Sequence, residues 1–287
     1  MKKLLIILCC ILALQSCNNG NTGTETVNGF DINWSGNLSK KDQEAVKEMI
    51  SNMVKVEAGT FMMGAQKDSV IYSNYDENAT SLESPVHEVT VGEFYINKYE
   101  VTQSLWKAIM GKHNDKDDEF DQWENQFGKG DKYPAYRISF NEVETFIGKL
   151  NECTGLNFAL PTEAQWEYAA RGGKDANYEL IYAGNNDVNE VAWIDENSDM
   201  NNEVGKKNAN VLGLYDMSGN VWEMCSNWYY DYSSVCDTIV SGEAYTGYKV
   251  FRGGSWNTNA QSARVTARYQ QGIHYRDYST GFRLVIE

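Results

Sequence analysis

The most restrictive feature of this 287-residue sequence is that helical periodicity stops near residue 174. Before that point, apolar residues recur at helical spacing in segments that start with a capping residue, which predicts amphipathic helices. The predicted helices cover residues 40–53, 103–110 and 140–151, and a fourth runs from Thr162 to Gly172. Glu163 and Glu167 are expected near the positive N-terminal end of that fourth helix.

Short alternating runs dominate the rest of the chain. The last third carries many Asn, Gly, Tyr and Trp residues in such runs, a pattern typical of irregular strands joined by long loops. Upstream, alternation also predicts strands within VKVEAGTFMMGA and over residues 86–91 and 94–99. The sequence therefore predicts an α+β fold with few helices and much loop.

The N-terminus resembles a bacterial lipoprotein signal. Lys2 and Lys3 precede an apolar run, residues 4–14, that is too short to span a bilayer and has the length of a signal core. The following LQSC resembles a lipobox, which predicts removal of residues 1–16 and lipidation of Cys17. The alternative is an ordinary signal peptide. We expect an exported lipoprotein of the bacterial cell envelope, attached to the membrane only through this lipid.

Composition divides the remaining chain into a tether and one domain. Residues 17–38 are rich in Asn, Gly and Thr and are expected to be a flexible tether. Residues 39–287 are long enough for a single large domain with a substantial core. Within it, the charged stretch 113–132 is predicted to be a loop insertion.

The charge of the chain excludes one class of partner. The formal net charge is −15 at pH 7, and removal of Lys2 and Lys3 with the signal makes it more negative. A surface this acidic offers no electrostatic footprint for nucleic acid.

The cysteines of the domain do not form a zinc pattern. Cys153, Cys225 and Cys236 follow no CxxC spacing, and the three histidines of the chain lie far apart in sequence. Because an exported chain meets an oxidising compartment, one disulfide is feasible, and the short separation of Cys225 and Cys236 favours that pair.

Six segments occur in order and carry a family resemblance. They are VEAGTFMMGA, HEVTVGEFYINKYEVTQSLW, LNECTGLNFALPTEAQWEYAARGG, GLYDMSGNVWEMCSNWY, FRGGSW and GFRLV. Together they resemble the formylglycine-generating enzyme family, also called sulfatase-modifying factor domains, over about residues 54–287. The resemblance implies an irregular variant of the C-type lectin fold.

The segment YDMSGNVWE suggests a cation site. Gly219 permits a turn with positive φ that would bring the carboxylates of Asp216 and Glu223 together, and hard cations prefer oxygen ligands. The family resemblance implies calcium here, with carboxylates from Asp216 and Glu223 and backbone carbonyls from Gly219 and Val221. The alternative is a structural turn capped by Asp216. The expected role of calcium is to stabilise a loop-rich scaffold.

The same resemblance weighs against oxidation chemistry. Oxidising members of the family use two cysteines after RGGS, whose thiolates hold copper(I). The corresponding positions in this sequence are Thr258 and Ala263, and neither side chain can ligate copper. We therefore expect no copper and assign no catalytic residue.

Residues 256–280 are predicted to form a binding surface. They alternate aromatic, Arg, Asn and Ser/Thr side chains, as adaptable recognition surfaces do, although some of the apolar ones are expected to be core strand residues. The run also resembles the variable segment of retroelement-diversified C-type lectin proteins. The candidate binding residues are Trp256, Asn257, Thr258, Asn259, Arg264, Arg268, Tyr269, His274, Tyr275, Arg276 and Tyr278.

These observations favour a lipid-anchored, calcium-stabilised domain that binds a protein or a glycan without oxidising it. Two other functions stay open. One is a formylglycine-generating oxidase, or another enzyme of the same family that modifies a protein or small molecule. The other is a structural subunit of an envelope assembly.

Overall fold

The helices begin where capping residues were predicted. The computed structural model describes residues 24–70, 74–111, 123–232 and 247–287. The α-helices in these ranges are α1 (Lys40–Ser51), α2 (Gln103–Met110), α3 (Phe140–Thr154), α4 (Glu163–Arg171) and α5 (Val188–Val191). The side chains of Ser39, Thr102 and Thr162 each accept a hydrogen bond from a backbone N–H of the first turn. The four helices predicted from the sequence are confirmed.

The strands in these ranges are short, and half of them follow helix α5 in sequence. They are β1 (Thr24–Val27), β2 (Phe30–Asn33), β3 (Met53–Val56), β4 (Gly59–Met63), β5 (His87–Val91), β6 (Phe94–Asn97), β7 (Phe158–Ala159), β8 (Ala192–Trp193), β9 (Ser218–Gly219), β10 (Trp222–Trp228), β11 (Tyr248–Arg252), β12 (Arg268–Gly272), β13 (Thr280–Gly281) and β14 (Val285–Ile286). The predicted α+β class, with few helices and much loop, is confirmed.

Two four-stranded sheets organise the domain. One has the order β3-β6-β14-β7, so the C-terminal strand β14 lies between strands from the first half of the chain. The other has the order β12-β11-β10-β13, with β10 and β11 antiparallel and β10 and β13 parallel. Helix α4 packs beside this second sheet, because Trp166 is fully buried and donates its indole N–H to Glu223 of β10 at 2.8 Å.

Helices α1, α2 and α3 contribute side chains to one hydrophobic core. The rings of Trp106 on α2 and Phe146 on α3 stack at 5.2 Å, and Phe282 meets both of them edge-on. Offset and edge-on arrangements are the favourable ones for aromatic pairs. These contacts fix the first half of the chain against the last segment before β14.

The tether predicted over residues 17–38 is wrong for its second half. Strands β1 and β2 form a hairpin, and Ile32 and Trp34 are buried in the same core cluster as α1 and α3. The backbone N–H of Ser35 donates to the carbonyl of Cys153 at 3.0 Å, which joins the segment to the end of α3. The run FDIN alternates and turns Ile32 inward, a short signal that the polar composition around it concealed. Residues 17–23 lie outside the described residues.

The insertion predicted over residues 113–132 is also only partly correct. Residues 112–122 lie outside the described residues, but Trp123 is buried and donates its indole N–H to the carbonyl of Tyr136 at 2.9 Å. A 3₁₀ turn, Asn125–Phe127, follows. The second half of the stretch therefore belongs to the packed domain.

Several predictions concern residues that are not described. Cys17, the signal segment and Cys236 lie outside the described ranges. Cys225 is fully buried and carries a free thiol, so the predicted disulfide between Cys225 and Cys236 is not observed. Among the described residues, no helix is both long and apolar enough to cross a lipid bilayer.

The packed hairpin makes a direct prediction about stability. Replacing Ile32 by Ala should lower the free energy of unfolding by about 2–5 kcal/mol, because the truncation leaves a cavity in the core. Thr26→Ala, an exposed change in the same hairpin, should lower it by about 0.5 kcal/mol or less. Urea-induced unfolding measures both values. Equal stability of wild type and Ile32→Ala would show that these residues are a tether after all.

Candidate functional site

The RGGS segment turns sharply and opens a cleft. Gly253 and Gly254 both have positive φ, 92° and 74°. A Cβ atom on Gly254 would lie 2.8 Å from the carbonyl oxygen of Ser262, so only glycine lets the two backbones approach this closely. Ser255 and Thr258 then close a turn, with the Ser255 N–H donating to Thr258 Oγ1 at 3.0 Å.

The cleft has a volume of about 480 Å³, within the range of small-molecule sites. Its walls come from the segment after RGGS, from strand β12 with the loop that follows it, and from a 3₁₀ turn at residues 81–83. The residues that line it are Thr80, Leu82, Glu83, Trp222, Asn257, Thr258, Asn259, Gln261, Ser262, Arg264, Ala267, Arg268, Tyr269, Gln271, Tyr275, Asp277, Ser279 and Thr280. None of these described residues is a cysteine or a histidine.

One buried ion pair forms part of the floor. Arg264 donates from Nη1 and Nη2 to the two carboxylate oxygens of Glu83, both at 2.8 Å, and from Nη1 to Asp76 at 2.6 Å. Glu83 also accepts from Thr266 at 2.7 Å. Burial alone would raise the pKa of Glu83, but the Arg264 guanidinium lowers it below its ordinary value.

A second ion-pair network lies beside the first. Arg268 on β12 holds Glu163 of α4 through Nε at 2.6 Å and Nη2 at 2.9 Å. Arg252 of β11 donates to Glu163 at 3.0 Å and to Glu167 at 2.6 Å. Burial would raise the pKa of Glu163, and the two guanidinium groups more than offset this, so its pKa is lowered.

Arg264 and Arg268 require a correction. The sequence predicted both as ligand-contacting residues, but their side chains are only 3% and 2% exposed. Their guanidinium groups are occupied by carboxylates and backbone carbonyls, including the carbonyl of Leu82 at 2.9 Å from Arg268 Nη1. They shape the floor of the cleft and do not offer free positive charge to a ligand.

Aromatic side chains line the side of the cleft next to β12. The ring of Tyr269 stacks on that of Trp222 at 5.1 Å and remains 42% exposed, whereas Trp222 is buried. Tyr275 is equally exposed, and its hydroxyl donates to Asp277 at 3.1 Å. The cleft therefore presents flat apolar surface between polar side chains.

Four of the predicted binding residues do not line the cleft. Tyr278 is stacked on Phe127 at 3.9 Å, and Trp256 donates its indole N–H to the Tyr278 carbonyl at 3.4 Å, so both are held by packing. His274 is exposed beside α3. Arg276 pairs with Glu142 of α3 at 2.9 Å. The loop after β12 turns these two side chains toward α3, whereas Asn257, Thr258, Asn259, Tyr269 and Tyr275 do line the cleft.

Thr258 and Ala263, the two positions for which the sequence resemblance implied copper-binding cysteines, have structural roles. The Thr258 hydroxyl donates to the carbonyl of Ser255 at 2.9 Å, and Ala263 is fully buried. Cys225 lies on β10 with its side chain in the core, where burial raises the pKa of its thiol well above the ordinary value. Burial of this kind disfavours the reactive thiolate form.

The segment predicted to bind calcium forms a turn that contains a buried carboxylate. Asp216 and Gly219 both have positive φ, and Asp216 is buried. Asp216 Oδ2 accepts from the N–H of Gly205 at 2.7 Å, while Oδ1 has no hydrogen-bond partner. Burial raises the pKa of Asp216 to about 6. A buried carboxylate oxygen without a partner is a suitable cation ligand.

Glu223 has other partners in the structure. Its two oxygens accept from Arg283 Nε and Nη2, both at 2.6 Å, and one also accepts from the Trp166 indole. Glu100 lies near both acidic side chains, and burial together with their charge raises its pKa. Asp216 thus fits a calcium ligand set, whereas Glu223 would have to share its carboxylate with Arg283.

Sequence reasoning missed the wall formed by Thr80, Leu82 and Glu83. The spacing of Thr80 and Glu83 is that of a capping box, and both hydrogen bonds of that box are present. This local signal predicts a helical turn at residues 81–83. It does not reveal that the turn lies against a segment 181 residues further along the chain.

Comparison with known proteins identifies the family. The sulfatase-modifying factor enzyme 1-like domain matches residues 39–287, so the chain belongs to that family. The chaperone protein LppX of Paenibacillus barcinonensis is 30% identical over 218 residues, which cover 62% of this chain and 74% of that protein. The serine/threonine-protein kinase pkn1 of Chlamydia caviae is 26% identical over 85% of this chain, but the match spans only 39% of the kinase.

Solved structures confirm the fold. PvdO from Pseudomonas aeruginosa superposes with a TM-score of 0.67 and 25% identity, covering 82% of this chain and 94% of PvdO. Treponema denticola variable protein 1 superposes with a TM-score of 0.64 and 24% identity, covering 92% and 98%. The α+β fold of the sulfatase-modifying-factor type, an irregular C-type-lectin-like fold, is thereby established for this chain.

The ion-pair network predicts unequal effects of two arginine substitutions. Arg268→Ala should lower the free energy of unfolding by about 3 kcal/mol, because the buried Glu163 carboxylate loses one of the two guanidinium groups that offset its charge. Arg276→Ala should cost less than about 1 kcal/mol, since the Arg276–Glu142 pair is 28% and 25% exposed. Chemical denaturation of both variants measures the difference. Equal small losses would mean that the network contributes nothing to stability.

Proposed function

We propose that this chain is a lipid-anchored protein of the bacterial cell envelope that binds a protein or glycan in the cleft beside RGGSW and does not oxidise it. The observation that supports this proposal most directly is the chemistry of the side chains that line the cleft. The cleft lies directly after the RGGS motif, and amide, hydroxyl and aromatic side chains form most of its surface. The two positions for which the resemblance implies thiols hold Thr258 and Ala263.

The chemistry of the walls supports binding. Asn257 and Asn259 are exposed at the cleft, and Tyr269 and Tyr275 add aromatic surface. Rigid aromatic rings combined with adaptable amide side chains are what recognition surfaces use. The floor beneath them is held by buried ion pairs, so the cleft is already shaped before a ligand arrives. One relative is named as a chaperone protein, which agrees with a binding role.

The binding function is tested by capture from envelope extracts. Immobilised full-length protein should retain a ligand that Asn257→Trp releases, because a large ring at this exposed position would fill the cleft. Lys206→Trp, an exposed change in the 198–212 loop region, is the matched control and should retain the ligand. If the Asn257→Trp variant retains the ligand as well as the wild type does, the ligand binds outside the cleft.

The alternative, an oxidase of the same family, is tested by turnover. Incubation of the protein with copper(I), oxygen and a cysteine-containing peptide should yield no formylglycine. The double variant Thr258→Cys/Ala263→Cys restores both thiols and should bind copper(I) more tightly than wild type. Conversion of the peptide by the wild-type protein would refute the non-oxidising function.

Calcium is proposed as a structural ion at the Asp216 turn. Asp216 would supply a carboxylate oxygen and Gly219 and Val221 backbone carbonyls, with Glu223 able to join only by sharing its oxygens with Arg283. In the described parts of the chain, no group of three or more His, Cys, Asp or Glu side chains surrounds a common metal position, so a cation here depends on these carbonyls. Its chemistry would be charge neutralisation in a buried turn.

Chelation tests the calcium proposal. Removal of calcium with a chelator should lower the melting temperature of the wild-type protein, and added Ca²⁺ should restore it, because a ligand that binds only the folded state stabilises it. Asp216→Asn should be much less sensitive to either treatment. A wild-type melting temperature that chelator and Ca²⁺ both leave unchanged would remove calcium from the account.

A further inference from the structure

The charged groups of the cleft are already satisfied by the protein. Arg268 uses Nε, Nη1 and Nη2 on Glu163, the Leu82 carbonyl and the Tyr230 carbonyl, the last at 2.9 Å. Arg264 is likewise engaged by Glu83 and Asp76 and by the Gln261 carbonyl at 2.9 Å. Both guanidinium groups are buried and neutralised by carboxylates, so they offer little net positive charge to a phosphate, sulfate or carboxylate entering the cleft.

The acidic side chains of the cleft are engaged as well. Glu83 accepts from Arg264, Thr266 and the N–H of Thr80 at 3.1 Å. Asp277 accepts from the Ser279 N–H at 2.8 Å and from the Tyr275 hydroxyl. Every carboxylate oxygen of these two lining residues therefore already accepts a hydrogen bond from the protein, which favours an uncharged ligand over a cationic one.

The amide side chains at the rim offer both donors and acceptors. Asn257 Oδ1 accepts from Ser255 Oγ at 2.8 Å and Asn259 Oδ1 from the Ser262 N–H at 3.2 Å, which leaves both amide NH₂ groups available. Gln261 donates to the Asn78 carbonyl at 3.2 Å and Gln271 to the Tyr269 hydroxyl at 2.9 Å, which leaves their carbonyl oxygens available. Hydroxyl groups both donate and accept, so neighbouring hydroxyls on one ligand match this mixture.

The Tyr269 ring supplies an apolar platform beside this rim. Its stacking on Trp222 fixes its orientation, and the exposed part of the ring faces solvent at the cleft. The C–H face of a sugar ring packs on such a surface, while its hydroxyls point outward to polar partners. The cleft volume of about 480 Å³ has room for more than one small ring.

We infer that the cleft binds an uncharged saccharide, with one sugar ring stacked on Tyr269 and its hydroxyls held by Asn257, Asn259, Gln261 and Gln271. The inference rests on the proposed binding function and names the ligand class of that same cleft. Since no ion pair joins the ligand to the protein, the affinity is independent of added salt.

Titration calorimetry with the full-length protein in detergent tests the inference. The probes are the neutral trisaccharides triacetylchitotriose and maltotriose and a sulfated trisaccharide. At least one neutral probe should bind, and Tyr269→Ala should weaken it by about tenfold or more, as loss of an aromatic anchor does. Tyr269→Phe keeps the ring and should retain most of the affinity.

Tyr248→Ala is the matched control. Tyr248 is 49% exposed on the neighbouring strand β11 but does not line the cleft, so its removal should leave the affinity unchanged. Because Tyr269 and Tyr248 are both surface residues, equal unfolding midpoints of the variants and wild type will show that folding is intact.

The possible failures are distinguishable. Preference for the sulfated probe, or binding that weakens with salt, overturns the inference of an uncharged ligand. A different result is that no saccharide binds, while the wild type captures an envelope protein and Asn257→Trp does not. That result would overturn the inference but leave the proposed function standing. No saccharide binding and no cleft-dependent capture would overturn both.

Discussion

The buried ion pairs between α4 and the β12-β11-β10-β13 sheet are the interaction on which the rest of the structure depends. Arg252 and Arg268 reach from adjacent strands to Glu163 and Glu167 on one helix. Removing these charges from water is costly, and only several well-placed hydrogen bonds offset that cost. The network places Arg252 at the end of β11, and therefore sets where the two glycines turn and where the cleft-lining segment begins.

The same network limits the charge that the cleft presents to a ligand. Arg264 and Arg268 carry strong charge at its floor, but Glu83 and Glu163 neutralise it inside the protein. What the cleft presents to a ligand is mainly amide, hydroxyl and aromatic groups on a scaffold held by ion pairs. The scaffold belongs to the sulfatase-modifying factor enzyme 1-like family, and the two positions for which the sequence resemblance implied copper-binding cysteines hold Thr258 and Ala263.

Local signals in the sequence predicted local structure well. Caps such as Ser39 and Thr162 marked helix starts correctly, and the loss of periodicity after residue 174 indicated the loop-rich half. Such signals could not predict ion pairs between residues that are far apart in the sequence. Glu163 was expected to act on the helix dipole but binds two arginines, and Arg264 and Arg268 were predicted to contact a ligand but bind carboxylates. These ion-pair partners lie 89 to 188 residues apart in sequence, beyond the reach of local patterns. The hairpin β1–β2 was missed since one inward residue, Ile32, is a weak signal in a polar stretch. The ordered motifs did identify the family.

Hydrogen–deuterium exchange of the full-length protein, with and without ligand captured from the envelope, tests the central claim most directly. The claim is that the ligand binds in the cleft formed by residues 257–262, strand β12 and the turn at residues 81–83. The account predicts slowed amide exchange in those three segments on addition of the ligand. Slowed exchange confined to another face, such as residues 177–181, or no change anywhere, would contradict it.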